Sequence, residues 1–155
     1  MPAEGDERTS VVQVSVDIDA PPEKVWKIVS DPANLPGWDH HILKVEGVPK
    51  GGIRKGSEYT TYVRFMGARA HAISKVVELR PPEYSKVRVT GLLDAVVESW
   101  VEPLDGRRTR LRHRVDYRFR GGPLGELAAG AIKVLGAPAV LRKGVQAQKR
   151  QAERA

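Results

Sequence analysis

Between Ile42 and Arg120 the chain leaves no room for a helix between strands. The segments ILKVEGV, SEYTTYVRFMG, RAHAISKVVELRPPE, YSKVRVTGLL, AVVESWVEPLDG and the run Thr109 to Arg120 follow one another, each bounded by Gly, Pro or Asp. Parallel neighbours need a crossover of a dozen residues or more, usually a helix, whereas antiparallel neighbours need only a turn. Connections this short predict an antiparallel meander and exclude a βαβ architecture.

The flanking segments complete the plan. VVQVSVDIDA alternates Val12, Val14, Val16 and Ile18 against Gln13, Ser15 and Asp17, a period-two strand with one apolar face. Pro21 and Pro22 then open a short helix, since proline suits the first helical turn. Val25, Ile28 and Val29 follow at helical spacing beside Trp26, and Asp31-Pro32 ends it. A second short turn covers PANLPGWDHH. Past Gly121-Gly122-Pro123 the strand signal disappears, and Leu127, Ala131, Val134, Leu135, Val140, Leu141 and Val145 recur at helical intervals. That predicts a helix of roughly 30 residues, kinked at Pro138. The expected fold is α+β: a curved seven-stranded antiparallel sheet around a long C-terminal helix, with two short helices after the first strand. A curved sheet gripping a helix encloses space between the two. Residues 1–10 are expected as a disordered tail, 11–147 as one domain, and 148–155 as a frayed tail, because LRKGVQAQKRQAERA is polar.

A net charge of +7 over 155 residues invites a nucleic-acid reading, and RRTRLRHRVDYRFRGG carries seven of the arginines. Period two answers it. Arg110, Arg112, Arg114, Arg118 and Arg120 share one face with Asp116; Leu111, His113, Val115, Tyr117 and Phe119 share the other. The arginines are expected on the solvated convex face, and no RNA-recognition or zinc-finger signature accompanies them, so nucleic acid is not an expected partner. The absence of cysteine removes disulfides, thiolate metal sites and thiol nucleophiles. The polar start and the lack of a long apolar run favour the cytoplasm, with no stable membrane insertion. GGIRKGSE lacks the lysine of a phosphate loop and joins two strands, so it reads as a hairpin loop.

The stretch VSVDIDAPPEKVWKIVSDPANLPGWDHHILKVE resembles the opening of the START-like superfamily, which includes polyketide cyclases and aromatases and the Bet v 1 proteins. The resemblance rests on Ala20, Pro21, Val25, Trp26, Asp31, Pro32 and Trp38. DGRRTRLRHRVDYRF is similar to the family's last strand, with Arg107 and Arg108 intervening between Gly106 and Thr109. The resemblance covers Val11 to Val145 and is more specific for fold than for function. It implies a helix-grip fold whose hydrophobic cavity, in the aromatase/cyclase branch, holds a poly-β-keto chain. It also implies a cofactor-independent aldol cyclisation and dehydration, or, in the second class, a carrier or sequestering (self-resistance) protein for a lipid or natural product. A third class is a surface-interaction protein using the arginine face or the C-terminal helix. A monomer or homodimer is expected.

On the inward face of the last strand, His113 and Tyr117 are the candidate proton-moving groups, about 13 Å apart along the strand; the alternative is a pair of hydrogen-bonded core side chains. The pattern of residues 95–101 leaves open which face points inward. The bulk of Trp100 favours that face, bringing Glu98 inside as a third acid-base candidate. Candidate ligand contacts are Trp38, His41, Tyr62, Trp100, Val115, Leu127, Ala131 and Leu135. Tyr62 contributes only if its strand twists it over the cavity mouth. Asp39-His40-His41 invites a metal reading, but consecutive residues point in different directions. No metal and no other cofactor is expected.

Overall fold

The computed structural model describes residues 10–65, 67–91, 93–119 and 137–154. Strand β1 (Ser10–Ile18) leads into α1 (Pro22–Val29), a 3-10 turn (Pro32–Asn34) and α2 (Leu35–Trp38). Six strands follow: β2 (Ile42–Glu46), β3 (Glu58–Phe65), β4 (Ala68–Arg80), β5 (Tyr84–Gly91), β6 (Leu93–Pro103) and β7 (Thr109–Phe119). Helix α3 (Ala137–Glu153) closes the order. The strands form one antiparallel sheet in the order β1-β7-β6-β5-β4-β3-β2, as the short connections require. Among the described residues no helix is long and apolar enough to cross a membrane.

Local chemistry sets the corner that α1 and α2 build. Pro21, extended, precedes the first turn of α1. The Asp31 carboxylate accepts the Ala33 N–H at 3.0 Å, capping the 3-10 turn. Asn34 Nδ2 donates to the Ile28 carbonyl at 3.0 Å, folding that turn back on α1. At the opposite end of the same corner, Thr109 is wholly buried and its hydroxyl donates to the Ala20 carbonyl at 2.7 Å, tying the start of β7 to the end of β1.

The main core lies where β1, β6 and β7 meet α1 and α3. Val14, Ile18, Val25, Val101, Leu111 and Val145 are buried there. Ala152 belongs to the same core, and Gln148 is buried. The residues expected to fray are therefore helical through Glu153. Their polarity is one-sided: Val145, Gln148 and Ala152 turn to the sheet, while Trp38 Nε1 donates to Gln151 Oε1 at 3.0 Å. Lys149 Nζ holds both Glu153 at 2.6 Å and the Asp17 carbonyl at 2.9 Å, and the Asp19 N–H donates to Glu153 at 2.8 Å. The expected kink at Pro138 falls at the start of α3. The earlier part of the expected helix, with Leu127, Ala131 and Leu135, lies outside the described residues, as do residues 1–9.

Two irregularities shape the sheet. In β4 the pairing passes from Val76 opposite Val87 to Glu78 opposite Lys86, leaving Val77 as a bulge. Such an extra residue bends a strand and exchanges its faces, so Val76 and Leu79 are both shielded although three residues apart. Gly91, at φ +113°, ends β5 where a Cβ would stand 3.0 Å from the His71 carbonyl oxygen and 3.3 Å from Ala72 Cα. Only glycine combines that dihedral with that approach.

Candidate functional site: a cavity between sheet and helix

Cross-strand register lays the concave face out in rows. One row runs Val76, Val87, Val97, Val115 and Val12 across five strands. Beside it runs Ser85, Ser99, His113 and Val14. On the other side Tyr59, Ser74, Val89, Ala95 and Tyr117 form a third. Over these rows, with α1, α2 and α3 as further walls, lies a cavity of about 330 Å³. Its floor includes Val87, Val97 and Val115; α3 contributes Leu141, Gly144, Val145 and Gln148; Trp38, Leu35 and Ile42 close one side. The hydroxyls of Thr61, Ser74, Ser85 and Ser99 are distributed over this mainly apolar wall.

Among the described residues His113 is the one imidazole in the cavity wall, and its surroundings define its state. It is buried, its Nε2 lies 2.8 Å from Gln148 Oε1, and its Nδ1 lies 2.8 Å from Ser99 Oγ. An amide oxygen only accepts, so Nε2 carries the proton and Nδ1 accepts the Ser99 hydroxyl proton. Burial holds the imidazole pKa below its ordinary 6.5, with the Gln148 bond opposing. The ring is therefore neutral at pH 7 and fixed in one tautomer. These contacts join β6, β7 and α3 in one buried polar link. Tyr59, on β3, is also buried. Its phenol pKa is pushed up by desolvation, against the pull of a hydrogen bond with Ser74.

The remaining candidates divide by face. Trp38 and Val115 line the cavity. Tyr117 shares the inward face of β7 but sits beyond the cavity wall; it borders a separate hollow with Thr90, Asp94 and Arg118. Glu98 and Trp100 do not face inward. Ala95, Val97, Ser99 and Val101 take the concave side of β6, and Glu98 and Trp100 the convex side. Trp100 is covered there by two neighbours: its ring lies 5.5 Å from that of Tyr84, and the Arg112 guanidinium stands 4.4 Å above it. Glu98 accepts the Tyr84 hydroxyl at 2.5 Å. Burial first, then that carboxylate, pushes the Tyr84 pKa up to about 12. Tyr62 is likewise on the convex side, between Lys44 (5.0 Å) and His71 (6.1 Å), because Tyr59 and Thr61 take the inward positions of β3.

The convex arginines meet carboxylates rather than open solvent alone. Arg110 Nε lies 2.8 Å from Asp17, Arg112 Nε 3.3 Å from Glu102, Arg114 3.4 Å from Asp116 and Arg118 3.6 Å from Asp94. The Arg112 pair is a charge contact only, since its Nε finds no hydrogen-bond acceptor in line among the described residues.

His41 stands outside the cavity, in a groove of about 560 Å³ between α2 and α3. Contrary to the expected divergence of adjacent side chains, Asp39, His40 and His41 bring their ligating atoms within 4.8 Å of one another. An Asx turn does this: Asp39 Oδ1 accepts both the His41 backbone N–H at 2.9 Å and its Nδ1–H at 2.8 Å. The His40 and His41 rings stack 4.1 Å apart. Trp38, Asp39 and Val140 border both groove and cavity. Neither Gln148 nor the serine row was singled out from the sequence. Ser85, Ser99 and His113 become neighbours only through register.

The comparisons with known proteins agree with this architecture. Residues 9–153 match the family described as polyketide cyclase / dehydrase and lipid transport. A search of curated protein sequences finds no match to the chain. Among solved structures, the fold is similar to the ZhuI aromatase/cyclase from Streptomyces sp. R1128, at a TM-score of 0.75 and 18% identity over 95% of both chains. It is similar also to TTHA0849 from Thermus thermophilus, at 0.72 and 16% over 92% of this chain and 97% of that one. A third is norcoclaurine synthase from Thalictrum flavum in complex with dopamine and hydroxybenzaldehyde, at 0.65 and 15% over 96% and 88%. At these identities the likeness is one of fold; with the family match over nearly the whole chain, the protein belongs to the polyketide cyclase / dehydrase and lipid transport family.

Proposed function

We propose that this protein binds a compact, hydrophobic, oxygen-bearing small molecule of polyketide-like chemistry between the sheet and α3. The observation that carries this reading is the division of the cavity wall into a valine row (Val87, Val97, Val115) and a polar row (Ser85, Ser99, His113). Apolar rings gain by leaving water against the first, and ring oxygens find hydrogen-bond partners along the second. Ligand pockets span roughly 300–1,000 Å³, so a cavity of about 330 Å³ favours a bicyclic or tricyclic molecule over a long unfolded chain. Within this reading the protein works in the cytoplasm, as a monomer or homodimer, in natural-product biosynthesis or self-resistance.

Binding without chemistry is favoured by the state of His113. A general acid or base needs a ring nitrogen within reach of the proton it moves, and both nitrogens here are engaged by Ser99 and Gln148. The cyclase reading is supported by the family description and by the fold shared with an aromatase/cyclase. In it, a ligand carbonyl displaces Gln148 and accepts a hydrogen bond from the Nε2–H, which polarises it for attack. Native mass spectrometry of the purified protein tests the binding reading. The expected result is a non-covalent small-molecule adduct that disappears in Val97→Phe, which fills the floor. An adduct retained in full by folded Val97→Phe would refute the cavity as its place.

A further inference from the structure

We infer that the ligand is an amphipathic anion, with its apolar body in the cavity and its carboxylate or phosphate in the groove between α2 and α3. The inference rests on the cavity-binding reading above. Three cations of α3, Arg142, Lys143 and Arg150, line this groove. None of their side chains forms an ion pair or hydrogen bond with another described residue. This contrasts with the convex face of β7, where each of Arg110, Arg112, Arg114 and Arg118 lies by a carboxylate. Among the described residues the only acid in the groove is Asp39, and its Oδ1 is already occupied by the N–H and Nδ1–H of His41.

Among the described residues, the charged groups lining this groove are therefore net positive. A cation on the Asp39, His40 and His41 cluster would share the groove with Arg142, Lys143 and Arg150, whereas an anion is attracted by all three. Continuity supplies the second half of the argument. Trp38, Asp39 and Val140 border both groove and cavity, so the two hollows adjoin along this edge, and the inferred ligand would reach from one into the other across it. Trp38 is held in that wall by its bond to Gln151. The arrangement matches a molecule with one apolar and one charged end, and a neutral molecule uses only half of it.

Matched probes test this: 2-naphthoxyacetate, 2-naphthyl phosphate and the neutral methyl ester of 2-naphthoxyacetate, titrated calorimetrically at low and high salt. Wild-type protein should bind at least one anion about tenfold more tightly than the ester, which is about 1.4 kcal/mol. That preference should shrink with salt. The better anion distinguishes a carboxylate from a phosphate. In the triple variant Arg142→Ala, Lys143→Ala, Arg150→Ala the preference should vanish while the ester's affinity stays. Equal binding of ester and anions by wild type, or a preference that survives the triple variant, overturns the inference and leaves the cavity reading intact. Binding of anions undiminished in Val97→Phe also overturns it, since the groove would then act alone. Failure of all three probes to bind overturns both.

Discussion

His113 makes the stability of this protein depend on pH in a direction that can be worked out. Burial depresses its folded-state pKa below the 6.5 of the exposed side chain. Above pH 6.5 the ring is neutral in both folded and unfolded chains, and its contribution is fully present. As pH falls below 6.5 the unfolded chain takes up a proton that the folded chain refuses. Stability is then lost at up to about 1.4 kcal/mol per pH unit, until pH reaches the depressed folded value. Between pH 7.5 and 5.5 the loss from this one residue is expected to reach at most about 1.4 kcal/mol. Urea unfolding of wild type and His113→Phe at pH 7.5, 6.5 and 5.5 measures it. The substitution strands the Ser99 hydroxyl and the Gln148 amide at every pH, which lowers stability by about 1–3 kcal/mol but adds no slope. The difference between the two proteins should therefore narrow on acidification, by up to about 1.4 kcal/mol. A gap independent of pH, or one that widens as pH falls, would refute a neutral, desolvated His113.

Other outcomes follow from single contacts. Gly91→Ala forces a Cβ against the His71 carbonyl at a positive φ and should cost about 1–3 kcal/mol, read by thermal or chemical unfolding. Tyr84→Phe removes a hydrogen bond to a carboxylate and should cost about 1.5–3 kcal/mol. In wild type the Tyr84 phenol should ionise near pH 12 by ultraviolet titration, a feature absent from the variant. Trp100→Ala and Glu98→Gln change only the convex side of β6. Both should leave affinity for a cavity ligand unchanged within error by calorimetry; a tenfold loss in either would return these residues to the site.

The order of elements was legible because turns of Gly, Pro and Asp separate segments of strict alternation. In β7 the alternation also identified the face, since arginine and valine do not exchange sides. Strand β6 offered no such contrast: Ala95, Val97 and Val101 oppose Val96 and Trp100, and bulk suggested the wrong side. On a twisted sheet, Trp100 finds cover on the convex face through Tyr84 and Arg112, two strands whose register the sequence does not print. The bulge at Val77 was equally hidden, because one extra residue in an apolar run changes no pattern. Gln148 sits in the polar end of the chain, where the sequence predicts fraying. Its role depends on a partner 35 residues away, and polarity alone cannot tell a solvated side chain from one bonded inside a core. The convergence of Asp39 and His41 came from an Asx turn, a local hydrogen bond that side-chain direction rules do not include.

The most direct test of ligand binding between sheet and helix is methyl NMR of valine-labelled protein titrated with methyl 2-naphthoxyacetate. Val87, Val97 and Val115 from the sheet and Val145 from α3 should shift together and saturate at one concentration, while exposed Val11 stays fixed. Saturable shifts confined to Val11 and other surface methyls, with the four cavity valines unmoved, would contradict it.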